Sequence, residues 1–377
     1  MKVLIDCTQI TKQKAGVGIY ARNMIAEMVK AEPGAELILL AQDDDPEMYF
    51  RGLSKVTMIL VNARWFRKLP LRFLLEQFYI PFLAIKHSVD VVHSLHYSFP
   101  LLPLTCKKVV TVHDMTSYKM PEVHLRTKVL YFRFFLRAAS YLADELIFIS
   151  HSTQTDYLSY FHKKASCCHV IPLGKSAEFK EDLDPQHVAE AIEKYGIGLP
   201  YILYVGTIEP RKNLNRLVKA FAATADKDSS YSLVIAGKKG WMYNTLFELI
   251  LELKLENRVL FTGFVAESDK PYLIRGAEIF AYVSLYEGFG IPVLESLACG
   301  VPTLTSNISS IPEVVGKAAL LVDPYNEAEI AAGLERLMLD EVLRDDLTTA
   351  SLARAAHFTW ESTAANTLQV YRKASKR

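Results

Sequence analysis

Short apolar runs and longer stretches of helical period alternate along this chain from end to end, and that alternation confines it to parallel βαβ architecture. Candidate strands in the first half are Lys2–Ile5, Glu36–Leu40, Val89–His93, Lys108–Val112, Glu145–Ile149 and Cys168–Ile171. In the second half they are Tyr201–Val205, Ser232–Ala236, Val259–Thr262, Ile279–Tyr282, Thr303–Ser306 and Ala319–Val322. Helical stretches such as Ile19–Lys30, Thr127–Leu142, Leu214–Ala223, Asn244–Leu253, Val293–Ala298 and Glu327–Leu339 lie between them. About twelve strands is too many for one small doubly wound sheet, so two Rossmann-like α/β domains with parallel sheets are expected. The boundary falls within Pro172–Pro200, where Leu-Gly-Lys, an acidic helix and Gly-Ile-Gly-Leu-Pro precede a fresh strand. This predicts domains over 1–172 and 173–359, with a helix over 360–377 crossing back to the first.

Charge narrows the partners. Lysine plus arginine (43) nearly cancel aspartate plus glutamate (42), so nothing global asks for nucleic acid. The balance conceals an asymmetry: residues 1–172 carry 21 basic and 15 acidic side chains, +6, and residues 173–377 carry 22 and 27, −5. The first half is therefore the one expected to meet an anionic surface. It contains two basic-aromatic stretches, Arg64-Trp-Phe-Arg-Lys-Leu-Pro-Leu-Arg and Arg126-Thr-Lys-Val-Leu-Tyr-Phe-Arg-Phe-Phe-Leu-Arg, suited to peripheral contact with anionic lipid. Five scattered cysteines without a C-x-x-C pair, and a beginning without a long apolar signal region, fit a reducing, cytoplasmic setting. The most apolar stretch, Leu69 to Ile85, is interrupted by Arg72, Glu76 and Gln77 and is too polar to span a membrane.

Four motifs sit at the carboxyl ends of predicted strands, where open α/β sheets bind ligands. Ser284-Leu-Tyr-Glu-Gly-Phe-Gly-Ile-Pro-Val-Leu-Glu places Glu287 on a glycine-containing loop and Glu295 about one turn into the following helix. Gly288 and Gly290 let the amides around Phe289 approach a ligand, and the two carboxylates can each hold hydroxyls of a separate polyol. In Val205-Gly-Thr-Ile-Glu-Pro-Arg-Lys-Asn, Gly206 ends a strand and Arg211 and Lys212 precede a helix, a pairing of fork and point charge suited to a diphosphate. Ala15-Gly-Val-Gly, with Gly16 and Gly18, is a loop able to approach a phosphate, but Ala21 replaces the third glycine of a dinucleotide fingerprint. Val110-Thr-Val-His-Asp ends its strand in His113, whereas His93 and His96 read as structural. Asp43-Asp44-Asp45 reads as a solvated turn, and no metal site is assigned.

Taken together, Gly16-Val-Gly, Thr111-Val-His-Asp, Ile149-Ser-His-Ser, Val170-Ile-Pro-Leu-Gly, Gly206-Thr-Ile-Glu-Pro-Arg-Lys-Asn, Gly237-Lys-Lys-Gly-Trp, Gly263-Phe-Val and the Glu287/Glu295 segment resemble the retaining family 4 glycosyltransferases of GT-B fold. Glu-Pro-Arg-Lys-Asn and Ser306-Asn-Ile-Ser-Ser-Ile-Pro-Glu are similar to mannosyltransferases of bacterial surface-polysaccharide assembly. The resemblance implies two Rossmann-like domains facing a cleft, the first binding acceptor and the second a nucleotide sugar, with GDP-mannose the favoured donor and a UDP-sugar the alternative. It implies that Arg211 and Lys212 neutralise the donor diphosphate, that Glu295 holds the ribose, and that Glu287 with the amides of Phe289 and Gly290 holds donor sugar hydroxyls. His113 would touch that sugar from the first domain, Gly16 and Gly18 would close over the phosphates, and Phe264 and Val265 would lie by the base. The acceptor would be a glycan or lipid-linked glycan, and neither metal nor organic cofactor is called for. Same-face attack assisted by the leaving phosphate needs no enzyme nucleophile.

Two rivals share parts of this pattern. A nicotinamide-dependent oxidoreductase shares the βαβ alternation but would need the complete glycine fingerprint. A non-catalytic sugar-nucleotide-binding protein would keep the binding residues without turnover.

Overall fold

In the computed structural model, residues 1–10, 16–44, 50, 53, 55–224, 230–241 and 244–376 are described. The chain divides into two compact units, Met1–Gly174 with Thr359–Arg377, and Lys175–Phe358.

The first unit is built on a seven-stranded parallel sheet of β1 (Lys2–Asp6), β2 (Glu36–Gln42), β3 (Val56–Val61), β4 (Val91–Ser94), β5 (Lys107–Val112), β6 (Glu145–Phe148) and β7 (Cys168–Val170). Its order is β3-β2-β1-β4-β5-β6-β7. The central strands read as unbroken apolar runs because helices cover both faces, and Val3, Leu4, Ile5, Val109 and Val110 are buried accordingly. At the sheet edge β3 is only half-buried, a strand that the sequence reading leaves out.

Leu69–Ile85 is helical without being a single helix. Leu69–Leu74 passes through a π-helical turn, Leu75–Tyr79, into Ile80–Lys86. Pro81 has no N–H to give the carbonyl of Gln77 four residues back, and the wider turn accommodates that loss. Among the described residues no helix is long and apolar enough to cross a membrane.

The aspartate run departs from its expected solvated turn. Asp43 accepts from the Ala63 amide at 2.9 Å, and Asp44 takes Arg67 through two nitrogens at 2.7 and 3.0 Å, so both tie down the helix Ala63–Phe66. Asp45 lies outside the described residues.

Thr359 opens the last helix, Trp360–Ser375, by accepting from the Ser362 amide. That helix packs on Gly16–Ala31 of the first unit, and Thr363 Oγ1 donates to the Pro172 carbonyl at 2.7 Å. Its buried Tyr371 hydroxyl reaches His93 Nδ1 at 2.5 Å, while His93 Nε2 lies 2.8 Å from Thr111 Oγ1. Burial lowers the His93 pKa to about 3, so a neutral imidazole joins the last helix to the sheet.

The second unit carries a six-stranded parallel sheet of β8 (Tyr201–Val205), β9 (Ser232–Ala236), β10 (Val259–Gly263), β11 (Ile279–Tyr282), β12 (Thr303–Ser306) and β13 (Leu320–Val322). The order β10-β9-β8-β11-β12-β13 reverses between β8 and β11, the topological switch point of this sheet. The loops leaving those two strands carry Arg211, Lys212 and Glu287.

Candidate functional site

After β8 the chain approaches the next crossover so closely that a Cβ on Gly237 would stand 1.9 Å from the Gly206 carbonyl oxygen. Pro210–Lys212 then forms a 3₁₀ turn, ended by Asn213 in the left-handed region at φ 62°. The buried Asn213 side chain donates to the Val283 and Pro324 carbonyls at 3.0 and 2.7 Å, fixing the cationic turn to the loops after β11 and β13. After β11, Gly290 takes φ 99° to start the helix Ile291–Ala298, and a Cβ there would press on Ile311 at 2.6 Å.

These two loops bring Arg211, Lys212 and Glu287 into one buried cluster. Glu287 Oε1 lies 2.7 Å from Lys212 Nζ and accepts from Tyr282 OH at 3.0 Å and Ser284 Oγ at 2.6 Å. Its Oε2 lies 2.9 Å from Arg211 Nη1. Arg211 also forks onto Glu209 Oε1 at 2.8 and 3.1 Å and donates to the Tyr286 carbonyl at 2.6 Å. Ser309 and Ser310, just past β12, hydroxyl-donate to the Glu287 carbonyl. Burial alone would raise the Glu287 carboxyl, but Arg211 and Lys212, with hydrogen bonds from Lys212 and Ser284, override it and hold the group at about 2. Burial and the Arg211 charge pull Lys212 down, against Glu287. Two cations offset by Glu209 and Glu287 leave a cluster without net charge, its side chains held in fixed orientations.

Glu295 presents a different environment. It lies in the helix Ile291–Ala298, buried, with Lys270 Nζ 3.8 Å away, beyond hydrogen-bond length. Its Oε2 is buried without a hydrogen-bond partner among the described residues. Burial, with Glu267 and Glu178 adding and Lys270 opposing, raises its pKa from the usual 4.5 to about 7. A buried carboxylate oxygen left unpaired is suited to a ligand that brings hydroxyl donors.

That pKa carries a stability prediction. Between pH 4.5 and about 7 the folded protein keeps a proton on Glu295 that the unfolded chain has released, so stability falls as pH rises through this window, by on the order of 3 kcal/mol. Glu295→Gln is expected to flatten that decline and raise the ligand-free Tm at about pH 8. Thermal melts across the window check it; an unchanged slope in the variant would place the titration elsewhere.

The remaining predicted residues are distributed as follows. Phe264 is exposed in the loop after β10, while neighbouring Val265 is buried and offers only its backbone. Phe289 is buried edge-on against Phe358, ring centroids 5.7 Å apart, so its side chain supports the loop that carries Gly288 and Gly290. In the first unit Gly16 opens the helix Gly16–Ala31 and Gly18 is buried beside Ile10. His113, directly after β5, hydrogen-bonds the Leu95 carbonyl through Nε2 at 2.7 Å, so that nitrogen carries the proton. Burial lowers its pKa, and Tyr20 meets its ring edge-on at 5.3 Å.

Sequence reasoning missed Tyr282, Ser284, Glu209, Ser309, Ser310 and Lys270. Ser284, Glu209, Ser309 and Ser310 all lie inside the motifs named above, but no spacing signals that residues 309 and 310 serve residue 287.

Two Rossmann-like units built on parallel sheets, the second with a buried cation-carboxylate cluster at its switch point, have the architecture of the GT-B glycosyltransferase fold. Residues 15–178 match the Glycosyltransferase Family 4 description and residues 187–354 match Glycosyl transferases group 1. The chain belongs to this family. It is 29% identical over 384 residues to O-antigen chain mannosyltransferase B of Escherichia coli, covering 99% of this chain and 100% of that protein. It is 30% identical to Serotype-specific mannosyltransferase WbdA of Escherichia coli over 72% of this chain, spanning only 34% of that longer protein. Among solved structures, Anabaena HepE in complex with UDP and glucose superposes with a TM-score of 0.77 over 98% of each chain at 19% identity.

Proposed function

We propose that this protein is a retaining α-mannosyltransferase that moves mannose from GDP-mannose to a glycan or lipid-linked glycan during polysaccharide assembly. The observation that carries it is the pair of carboxylates at one switch point, one saturated with cations and one with a buried unpaired oxygen. Likeness along its whole length to an O-antigen mannosyltransferase supports the choice of sugar.

In this reading the bond between the sugar and the β-phosphate oxygen breaks, the acceptor oxygen bonds the anomeric carbon, and the acceptor proton passes to the leaving phosphate. Arg211 and Lys212 stabilise the charge that develops on the diphosphate. Glu295 receives the ribose hydroxyls, Phe264 and the Val265 backbone flank the base, and Gly206 keeps the loop entrance narrow. His113, and Gly16 with Gly18 at their helix start, are the first unit's contribution to the donor. The Glu287 carboxylate orients the two cations through both oxygens, and Oε2, which has Arg211 as its one partner among the described residues, is the oxygen proposed to reach the sugar alongside the Phe289 and Gly290 amides.

A thermal-shift panel of nucleoside diphosphates and their sugar conjugates tests the donor, since a ligand raises Tm according to concentration over affinity. GDP and GDP-mannose should give the largest shifts, and Glu295→Gln should weaken GDP binding about tenfold or more. Larger shifts with UDP and a UDP-sugar would move the assignment to the alternative donor.

We further propose that the enzyme works against an anionic cytoplasmic membrane face. Leu74, Phe78, Phe82 and Ile85 form an exposed apolar stripe, with Lys68 over Trp65 and Lys86 over Phe82. On Arg126–Leu142, Phe135 and Leu136 are buried and Arg133 is engaged with Ser117 and Tyr118, while Leu130, Phe134 and Tyr141 are exposed. Co-sedimentation with vesicles should rise with anionic lipid, fall with salt, and be lost in Phe78→Glu/Phe82→Glu. Binding indifferent to lipid charge and to the substitutions would assign the enzyme to a soluble acceptor.

A further inference from the structure

The sheet of the first unit has its own switch point, between β1 and β4, and the residues leaving its carboxyl edge there form a second polar constellation. Asp6 ends β1 and turns the chain by accepting from the Thr8 amide and hydroxyl at 2.9 and 2.7 Å, which brings Gln9 forward. His96 and Ser98 follow β4, and His113 follows β5.

Facing them is Glu76, fully buried in the π-helical turn, a geometry that recurs at functional sites. Its Oε1 accepts from Arg72 Nε at 2.8 Å, Ser98 Oγ at 2.7 Å and Gln9 Nε2 at 3.2 Å, and its Oε2 accepts from Tyr131 OH at 3.1 Å.

In and beside this network two polar atoms are left over. Arg72 Nη2 and His96 Nδ1 are buried and, among the described residues, lack a hydrogen-bond partner. Orphaned buried polar atoms are rare in folded proteins, and two in one cluster point to a ligand that completes them. Burial, His113 and the nearby Arg72 charge keep the His96 imidazole neutral, so its ring carries one donor and one acceptor nitrogen, while Arg72 can only donate. A hydroxyl both gives and takes a hydrogen bond, and Glu76 offsets the Arg72 charge, so the match is to a neutral polyol and not to a phosphate or carboxylate. Phe132, half-buried with its ring 5.4 Å from that of His96, supplies the apolar face on which a sugar ring can lie. The His96 ring is in turn 6.4 Å from that of His113, next to the residue assigned to the donor sugar.

We propose that Arg72, His96 and Phe132 form the subsite for a hydroxyl-bearing sugar ring of the acceptor, with Glu76 as the residue that positions Arg72. This rests on the glycosyl transfer proposed above. Arg211, Lys212, Glu287 and Glu295 lie in the other unit, so GDP affinity and donor hydrolysis report on the transfer reading while the acceptor KM reports on the subsite.

The experiment compares wild type, Arg72→Met, Glu76→Gln and Phe132→Ala in three measurements: transfer from GDP-mannose to methyl α-mannoside and α-linked mannobiose, donor hydrolysis without acceptor, and GDP affinity by calorimetry. Arg72→Met and Phe132→Ala are expected to raise the acceptor KM about tenfold or more, with donor hydrolysis and GDP affinity within about twofold of wild type. Glu76→Gln should move the same parameter less. An unchanged acceptor KM in both Arg72→Met and Phe132→Ala, or a parallel fall in all three measurements, overturns the subsite. Wild type that hydrolyses donor but ignores mannosides and accepts an anionic sugar overturns the neutral-polyol assignment. Wild type that neither hydrolyses a nucleotide sugar nor binds a nucleotide overturns the transfer reading, and the subsite with it.

Discussion

Arg211→Ala is expected to slow sugar transfer by about two orders of magnitude or more, because an oriented charge in a closed site is commonly worth roughly 3 kcal/mol of transition-state stabilisation. Glu287 and Glu209 hold the guanidinium from two sides and the Tyr286 carbonyl from a third, a fixed orientation that the proposed role in diphosphate departure would use without reorganisation. The substitution also removes one of the two cations on Glu287, so a modest fall in Tm should accompany the loss. Steady-state transfer assays alongside melts separate the two effects. Near-wild-type turnover in Arg211→Ala would move the phosphate anchor away from this turn.

Glu287→Ala is expected to give the largest loss of stability. It would leave Lys212 buried and Arg211 largely buried without their shared counter-charge, and breaking a buried ion pair from one side costs about 3–5 kcal/mol, roughly 10 °C in Tm for a unit of this size. Glu287→Gln keeps an oxygen for Lys212, Tyr282 and Ser284 and should recover part of that Tm while transfer stays low. The wild-type contribution has a defined pH window as well. With the folded carboxyl held at about 2 and the ordinary value at 4.5, the stability it supplies is complete above about pH 4.5 and disappears as pH falls towards 2. Melts of wild type and Glu287→Gln from neutral pH downwards should converge; curves that stay parallel would show that Glu287 is not the group being titrated.

The alternation of buried apolar runs with helical periods was enough to read the α/β class, because strands covered on both faces must be apolar throughout and crossovers must be helical. β3 escaped that reading, since a half-buried edge strand reads like any apolar loop segment. Arg211, Lys212, Glu287 and Glu295 were legible because each belongs to a short contiguous motif at the end of a strand. Their state of charge was not. Nothing in the order of residues shows that Glu287 has both oxygens occupied while Glu295, eight positions on, keeps one bare, since that difference comes from Arg211 and Lys212 reaching Glu287 from another loop and Lys270 stopping 3.8 Å from Glu295. Arg72 and Glu76 looked like interruptions of an apolar stretch, and only packing against Ser98, Gln9 and Tyr131 turned them into a buried pair. The sequence by itself determined the periodicities, the glycine turns and the residue types available at each strand end, all set by neighbours within a few residues. The tertiary structure alone decided which of those charges are desolvated and which are paired, because burial and Coulomb energy depend on distance in space and not on separation along the chain.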